Sequence, residues 1–268
     1  MPDSEVIDPT TAAALLARCV REAGALALSM FRTPINNWTK AGASPVCEAD
    51  IAVDGLLRRR LSAEGPRFGW LSEESADDPA RLGARYVWIV DPIDGTRAYL
   101  AGQPDWAVSA ALVEHGRPIV GCLYAPVANE FFVAVADRGA TCNGAAIATS
   151  RGASLAQTRI AGPKALVERL AAVAPSFTVM PRLPSLAMRL ARVAQGAYDV
   201  AFAGGNSHDW DLAAADLLVH EAGGALTALD GGPVTYNLPA PRHGMLVASG
   251  RERHAALIDL LRDRRIAS

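Results

Sequence analysis

Acidic side chains gather in this sequence at the ends of apolar segments, where loops usually expose functional groups. Two acids close the apolar run YVWIV, two follow GWLS, two flank a tryptophan ahead of a helical segment, and one begins an earlier helix. These acids are Asp91 and Asp94, Glu73 and Glu74, Asp209 and Asp211, and Asp50. Carboxylates gathered without matching Lys or Arg repel one another unless a cation holds them, and Mg²⁺ prefers oxygen ligands. The pattern therefore predicts a divalent metal site.

The segment WIVDPIDGTRAYL, residues 88–100, adds an anion site to this prediction. Proline fixes one φ angle and removes one N–H, so the chain can turn and present Asp91, Asp94 and the Ile93 carbonyl together. The N–H groups of Gly95 and Thr96 would open a helix, a position that favours negative charge. A metal beside an anion cradle indicates phosphate-ester chemistry. Two simpler readings stay open: DPIDGT as an ordinary turn, and Asp211 as a helix-capping acid.

The elements that must position these acids change in character along the chain. Helices are predicted over residues 10–31, capped by Thr10 or Thr11, and over 48–65, ending near Gly65. RFGWL and the wholly apolar RYVWIV read as strands, and three strand-like runs from Trp106 to about residue 137 read as an antiparallel meander. Beyond residue 150, strands alternate with helices, ending in a basic helix.

These elements predict an α/β (α+β) fold in two halves, divided within the polar stretch 143–156. Residues 1–150 would form an N-terminal α+β half with the antiparallel sheet, two helices and most metal ligands. Residues 151–268 would form a mixed or parallel α/β half that supplies Asp211 and a loop facing the substrate. No internal repeat and no low-complexity segment interrupts this plan.

Composition narrows the classes of partner and compartment. The chain has 268 residues and a formal net charge of -2, without the basic excess expected of a nucleic-acid-binding protein. Its acidic, polar N-terminus does not resemble a signal peptide, and no run approaches the ~18 apolar residues of a membrane span. Four scattered cysteines suggest reduced thiols. We expect a cytoplasmic protein that binds neither membrane nor nucleic acid.

Three motifs carry a resemblance to a known family. Residues 88–96 (WIVDPIDGT) resemble the first signature of the inositol monophosphatase family, residues 210–224 (WDLAAADLLVHEAGG) its second, and residues 71–75 (LSEES) the acidic motif ahead of the first. The resemblance implies a layered αβαβα sandwich, Mg²⁺-dependent and Li⁺-sensitive hydrolysis of phosphomonoesters, and a homodimer.

The same resemblance implies a role for each acid. Glu73, Asp91 and the Ile93 carbonyl would hold one Mg²⁺, Asp91, Asp94 and Asp211 a second, and Glu73 would share a third, weaker ion. Thr96 would position the attacking water in concert with Glu73 or Asp50. The substrate would contact Asp94, Gly95, Thr96, Arg97 and Asp211, with the phosphate on the N–H groups of Gly95 and Thr96. Glu74 would support the ligands indirectly, and Lys40 resembles a loop lysine of the family.

The sequence departs from inositol-specific members of that family. Residues 203–208 (AGGNSH) carry no acid ahead of the second signature, where such members bind sugar hydroxyls, and Pro184-Ser185 replaces a Gly-Ser/Thr pair. The stretch around DGTRAYL is instead similar to the bacterial CysQ branch, which removes the 3′-phosphate of adenosine 3′,5′-bisphosphate. Inositol 1-phosphate phosphatase, or a regulatory binding role, stays the alternative.

A substrate with two phosphates needs a second cationic contact. Candidates are Arg97, Lys40, Arg182 and Arg189, although such residues are more often ordinary surface charges. His208 could touch substrate or metal, or serve only as a polar loop residue.

Overall fold

The computed structural model describes residues 6–40, 45–63, 68–173 and 176–262. Within these ranges the chain forms seven α-helices and sixteen strands. The helices are α1 (Pro9–Met30), α2 (Glu48–Ser62), α3 (Thr96–Leu100), α4 (Lys164–Val173), α5 (Leu186–Ala194), α6 (Asp209–Glu221) and α7 (Arg251–Arg262). The strands are β1 (Asn37–Thr39), β2 (Pro45–Cys47), β3 (Phe68–Ser72), β4 (Tyr86–Asp94), β5 (Ala107–Glu114), β6 (Arg117–Ala125), β7 (Glu130–Val135), β8 (Ala140–Cys142), β9 (Ala145–Ala146), β10 (Arg159–Ala161), β11 (Thr178–Val179), β12 (Val200–Ala203), β13 (Ser207–His208), β14 (Gly224–Ala228), β15 (Arg242–His243) and β16 (Leu246–Gly250).

These elements stack in five layers, as expected. Helices α1 and α2 cover one face of a large sheet, β3 to β9, whose other face packs on α5 and α6. Helices α5 and α6 also contact a second sheet, of order β11-β10-β12-β16-β14. Helices α4 and α7 cover the far side of that sheet. Three apolar clusters fill the spaces between the layers. The αβαβα sandwich is therefore confirmed.

The large sheet combines one parallel pair with an antiparallel meander. Strands β3 and β4 run parallel, and β4 through β9 pair antiparallel in chain order. Every residue of β4 is buried, because helices cover both faces of the sheet. The smaller sheet is mixed, with β10 parallel to β11 and β12, and with β16 antiparallel to β12 and β14. Both sheet predictions are confirmed.

The end of β4 differs from the predicted turn. The strand continues through Asp94, and its pairing with β5 shifts register, since Asp91 lies opposite Ser109 while Asp94 lies opposite Ala107. Three steps along β4 thus match two along β5, which is a β-bulge with one extra residue. In a regular strand, positions three apart point to opposite faces. The bulge lies between Asp91 and Asp94, where Pro92 has no N–H to donate to the neighbouring strand. It lets both carboxylates face one site.

Two helix boundaries also differ from the prediction. Asp8, rather than Thr10 or Thr11, caps α1, and its carboxylate accepts the N–H groups of both threonines at 3.2 and 3.1 Å. A carboxylate one residue ahead of proline at N1 satisfies these donors better than a hydroxyl inside the first turn. Helix α2 ends at Ser62, and Gly65, the expected terminator, lies outside the described residues. The ends of the two predicted halves, 1–5 and 263–268, lie outside them as well.

Among the described residues, no helix is both long enough and apolar enough to cross a membrane.

Candidate metal centre and active site

Three aspartates from two layers of the fold meet at one point. Each of Asp91, Asp94 and Asp211 offers a carboxylate oxygen, and these oxygens lie within 4.8 Å of one another. Asp91 and Asp94 come from the bulged end of β4, and Asp211 comes from the first turn of α6 on the other side of the cleft. Glu73, which follows β3, lines the same cavity without joining this group of three.

The electrostatics of the cluster call for a cation. Burial, and then the neighbouring acids, raise the pKa values of Asp91 and Asp211 well above the usual range for a carboxyl. Burial raises the pKa of Glu73 to about 7, although Lys40 opposes this shift. Asp91 Oδ1 is buried and has no hydrogen-bond partner among the described residues. A divalent ion with oxygen ligands would satisfy that atom and relieve the repulsion, so these residues fit Mg²⁺.

Helix α5 fixes the position of Asp94. Its Oδ2 accepts hydrogen bonds at 2.6 Å from the Ser185 hydroxyl and from the Ala187 N–H, and its Oδ1 accepts one at 3.2 Å from the Leu186 N–H. The carboxylate therefore lies on the N-terminus of a helix, where unpaired donors and the helix dipole stabilise negative charge. Burial raises the pKa of Asp94, and these three hydrogen bonds partly oppose that rise.

Two of the predicted acids occupy the same position in different helices. Asp50 in α2 and Asp211 in α6 each stand at the third helical residue and accept the N–H of the capping residue, Cys47 at 2.8 Å and His208 at 2.6 Å. This reciprocal capping box fixes each side chain. Asp211 is thus a capping acid and a member of the acid cluster, so the two readings of its sequence position are compatible.

Thr96 links the first signature to Asp50. Its hydroxyl lies 3.0 Å from the Ile93 carbonyl oxygen and 3.2 Å from Asp50 Oδ1, and it can donate its one proton to either. Gly95 precedes it with φ 99°, where a Cβ would approach the Asp105 carbonyl to 2.8 Å. Only glycine suits a left-handed position with so little room.

A cavity of about 260 Å³ opens over these groups. Its lining consists of Pro45, Glu73, Asp91, Ile93, Asp94, Gly95, Thr96, Arg97, Arg182, Pro184 and Asp211. Every predicted metal-ligating residue is in this set, together with two arginines that are exposed. Asp50 lies behind it, reaching it through Thr96.

Other residues singled out in the sequence serve different purposes. Lys40 donates to Glu74 Oε1 at 2.6 Å and to the Glu73 carbonyl at 3.1 Å, so it orders the acidic loop. The His208 ring stacks on Trp210, with ring centroids 4.5 Å apart. The prediction that Arg189 could contact the substrate is wrong. Arg189 is buried and donates to the carbonyls of Phe202 and Leu183 at 2.9 Å, so it does not reach the cavity.

Sequence reasoning did not identify Ser185 and Cys47 as site residues. Ser185 precedes α5, which marks it as a helix cap, but its partner Asp94 lies 91 positions away. The Cys47 thiol lies 2.8 Å from Asp50 Oδ2. Burial first, and then Asp50, raise the pKa of this thiol to about 12, so it acts as a neutral donor. An N-cap signal could have predicted the serine but not its distant partner Asp94, whereas Asp50 stands three positions after Cys47, at the spacing of a local capping box.

Comparison with known proteins gives a consistent result. Residues 8–265 match the inositol monophosphatase family. A histidinol-phosphatase of Mycobacterium tuberculosis is 35% identical over 235 residues, which cover 83% of this chain and 86% of that protein. An inositol monophosphatase of Dictyostelium discoideum is 31% identical over 226 residues, covering 80% and 83%. Among solved structures, the extragenic suppressor protein suhB of Bartonella henselae superposes with a TM-score of 0.84 at 28% identity, covering 95% of this chain and 99% of that one.

Proposed function

The chain belongs to the inositol monophosphatase family and is a metal-dependent phosphatase, and from this premise we propose that it hydrolyses the phosphomonoester of a small metabolite with Mg²⁺. The observation that carries the proposal is the convergence of Asp91, Asp94 and Asp211 beside Gly95 and Thr96. An acid cluster alone would bind a cation, whereas an acid cluster over a loop suited to phosphate supports hydrolysis.

The acids of the cavity and the N–H groups beside them would then have distinct roles. Glu73, Asp91 and the Ile93 carbonyl would hold one Mg²⁺, and Asp91, Asp94 and Asp211 would hold a second. Bound Mg²⁺ would neutralise charge on the phosphate and activate a water molecule for attack. The N–H groups of Gly95 and Thr96 orient the phosphate, and α5 holds Asp94 in place.

Proton movement is assigned to Thr96 and the acid behind it. The Thr96 hydroxyl orients the attacking water and relays its proton: Thr96 Oγ1 takes the proton of the water while its own proton moves to Asp50 Oδ1, 3.2 Å away. Burial raises the pKa of Asp50, which suits it to accept that proton. Glu73, which lines the same cavity, is the alternative acceptor.

We propose further that the preferred substrate carries a second anionic group, as adenosine 3′,5′-bisphosphate does. Arg97 and Arg182 line the cavity beside the phosphate loop and offer positive charge to such a group. Residues 203–208 offer no acid for a polyol or an amine.

A substrate with a single phosphate is the second candidate. The cavity volume, about 260 Å³, suits a compact molecule, and the two relatives named above are described as acting on histidinol phosphate and inositol phosphate. Histidinol phosphate carries an amine that the two arginines would repel, which places inositol 1-phosphate ahead of it.

Phosphate release separates these substrates. We would assay adenosine 3′,5′-bisphosphate, inositol 1-phosphate and histidinol phosphate in Mg²⁺, with and without Li⁺. The bisphosphate should give the highest kcat/KM, and Arg97→Ala and Arg182→Ala should lower that value while leaving inositol 1-phosphate almost unaffected. Equal loss on all substrates would reject the two-anion proposal, and no release from any of them would reject the phosphatase.

Asp91→Asn tests the metal centre itself. Replacing one acid of the cluster should abolish turnover, and it should leave the metal-free protein as stable as the wild type or more so, because a neutral amide replaces a carboxyl whose charged form burial and the neighbouring acids disfavour. Thermal unfolding with and without Mg²⁺ measures both effects. Full activity, or an undiminished response to Mg²⁺, would contradict the assignment of Asp91.

We also propose a homodimer and a cytoplasmic location. Light scattering after size exclusion and fractionation of cells test these two statements independently of the chemistry.

A further inference from the structure

A second cavity lies along the far side of α6 from the metal centre. It encloses about 530 Å³ between α6, the beginning of β6 and residues 231–235, and it shares no lining residue with the catalytic cavity in the described chain. Its walls include Ile119, Leu217, Leu226 and Val234. A volume of this size with mostly apolar walls suits a small organic molecule.

One buried carboxylate lines this cavity without a full set of partners. Asp216 is 5% exposed, and its Oδ2 accepts the Tyr236 hydroxyl at 2.8 Å. Its Oδ1 is buried and has no hydrogen-bond partner within the described ranges. His220 Nε2 stands 3.7 Å from that oxygen, beyond hydrogen-bonding distance. Buried polar atoms are almost always paired, so Oδ1 requires an explanation.

The charges around the cavity favour a cationic occupant. Asp137 and Glu221 add two carboxylates at its edge, and Glu221 also accepts the N–H groups of Asp137 and Gly139. Arg117, which is exposed, and the half-exposed His220 oppose them. An N–H donor of positive charge would therefore meet more negative than positive neighbours.

We propose that this cavity, the Asp216 pocket, binds a small organic cation whose N–H group donates to Asp216 Oδ1 once rotation of the Asp216 side chain turns that atom towards the cavity. The apolar body of the cation would pack against Leu217, Leu226 and Val234. The pocket is separate from the metal centre although both use α6. Five positions separate Asp216 from Asp211, which is a rise of about 7.5 Å and a rotation of about 140° around the helix.

Benzamidine and 2-phenylethylamine are suitable probes, since each joins a cationic N–H group to an apolar ring. Burial raises the pKa of Asp216 to about 6, so binding is measured at pH 8, where the carboxyl is ionised. Calorimetry on the full chain with saturating Mg²⁺ should detect binding of benzamidine. Benzamide, its neutral analogue, should bind at least about tenfold more weakly, as expected when a charge-assisted bond is lost.

Three variants identify the location of the probe. Asp216→Asn keeps an acceptor for Tyr236 and should weaken benzamidine binding about tenfold or more. Val234→Phe should block the cavity from a second wall without touching the carboxylate. Asp91→Asn should leave binding unchanged, which separates the pocket from the catalytic acids and from the proposed function.

Two sets of results would overturn the proposal. Failure of both probes to bind the wild-type protein is one. Binding that survives Asp216→Asn, or that disappears with Asp91→Asn alone, is the other, since it would assign the cation to the catalytic cluster.

Discussion

At the scale of single residues, Asp94 shows how a metal ligand is held in place. Three donors at the N-terminus of α5 fix its two oxygens. One of these donors is the hydroxyl of Ser185, the residue that caps the helix. Ser185 also accepts the Met188 N–H at 3.0 Å, so the same side chain caps the helix and orients the ligand. Local sequence predicts the cap, while the contact with Asp94 exists only after the two layers pack.

Ser185→Ala should therefore affect stability and metal affinity together. We expect a loss of about 1–2 kcal/mol in the free energy of unfolding from the missing cap. We also expect Mg²⁺ to bind about tenfold more weakly, because a bond to a charged ligand is lost. Urea unfolding and Mg²⁺ titration measure the two. Ser29→Ala, which removes an exposed hydroxyl bonded only to Leu26, is the control, and unchanged Mg²⁺ affinity in Ser185→Ala would contradict the role.

Asp216 makes the free energy of unfolding depend on pH. Burial raises its pKa from 3.8 to about 6, against the opposing influence of His220, Tyr236 and His243. The folded state therefore binds this proton more tightly than the unfolded state. The stability contributed by Asp216 is greatest below pH 4 and falls as the pH rises through 6.

Asp216→Asn should consequently stabilise the protein at neutral pH. We expect a gain of about 3 kcal/mol above pH 7, and a smaller gain at pH 5, where the wild-type carboxyl is largely protonated. Urea unfolding at the two pH values provides the measurement. An equal gain at both would mean that the carboxyl does not titrate as described.

At the scale of elements, the close packing of β6 on α6 determines where Asp211 lies. A Cβ built on Gly121 would stand 2.8 Å from the Ala214 carbonyl oxygen, so the strand and the helix backbone touch at this glycine. Sequence patterns predicted both elements but could not predict this approach, because it depends on the register between residues 93 positions apart. The bulge in β4 was hidden for the same reason, since it is defined only against β5.

Gly121→Ala should displace α6 from the sheet. We expect a loss of about 1–3 kcal/mol in the free energy of unfolding, as for other overpacked sites, with weaker Mg²⁺ binding because α6 carries Asp211. Gly83→Ala is a matched control, since a Cβ there has open space. If both variants unfold at the same urea concentration as the wild type, the packing argument fails.

At the scale of the whole molecule, the acids of the site come from separate layers that the metal would join. β4 supplies two aspartates, α6 a third, and Glu73 follows β3. Fold class and most elements could be predicted from periodicity, because helices and strands leave local patterns, whereas the order of the layers followed from the resemblance of the motifs to a known family. The division near residue 150 stays a prediction.

Mg²⁺ should raise the unfolding temperature by an amount that depends on pH. Metal-free Glu73, with a pKa of about 7, is mostly protonated at pH 6, and Mg²⁺ must then displace a proton. The increase in unfolding temperature on adding Mg²⁺ should therefore be larger at pH 8 than at pH 6. Calorimetric scans with Mg²⁺ or with EDTA measure it, and Glu73→Gln should reduce the difference, while the raised pKa values of Asp91 and Asp211 preserve part of it. A larger effect at pH 6 would contradict the assignment.

The bulge in β4 has a consequence at the level of the gene. An in-frame loss of the single codon for Pro92 or Ile93 would keep every acid in the protein and would restore the regular alternation of the strand. Asp91 and the next aspartate would then stand two positions apart, so both could still point to one face of the strand. The bulge between them, which would present the Ile93 carbonyl to the predicted metal site, would be gone. Losing one codon here would thus remove or displace a predicted ligand without touching an acid, whereas surface turns elsewhere could gain or lose a codon at little cost.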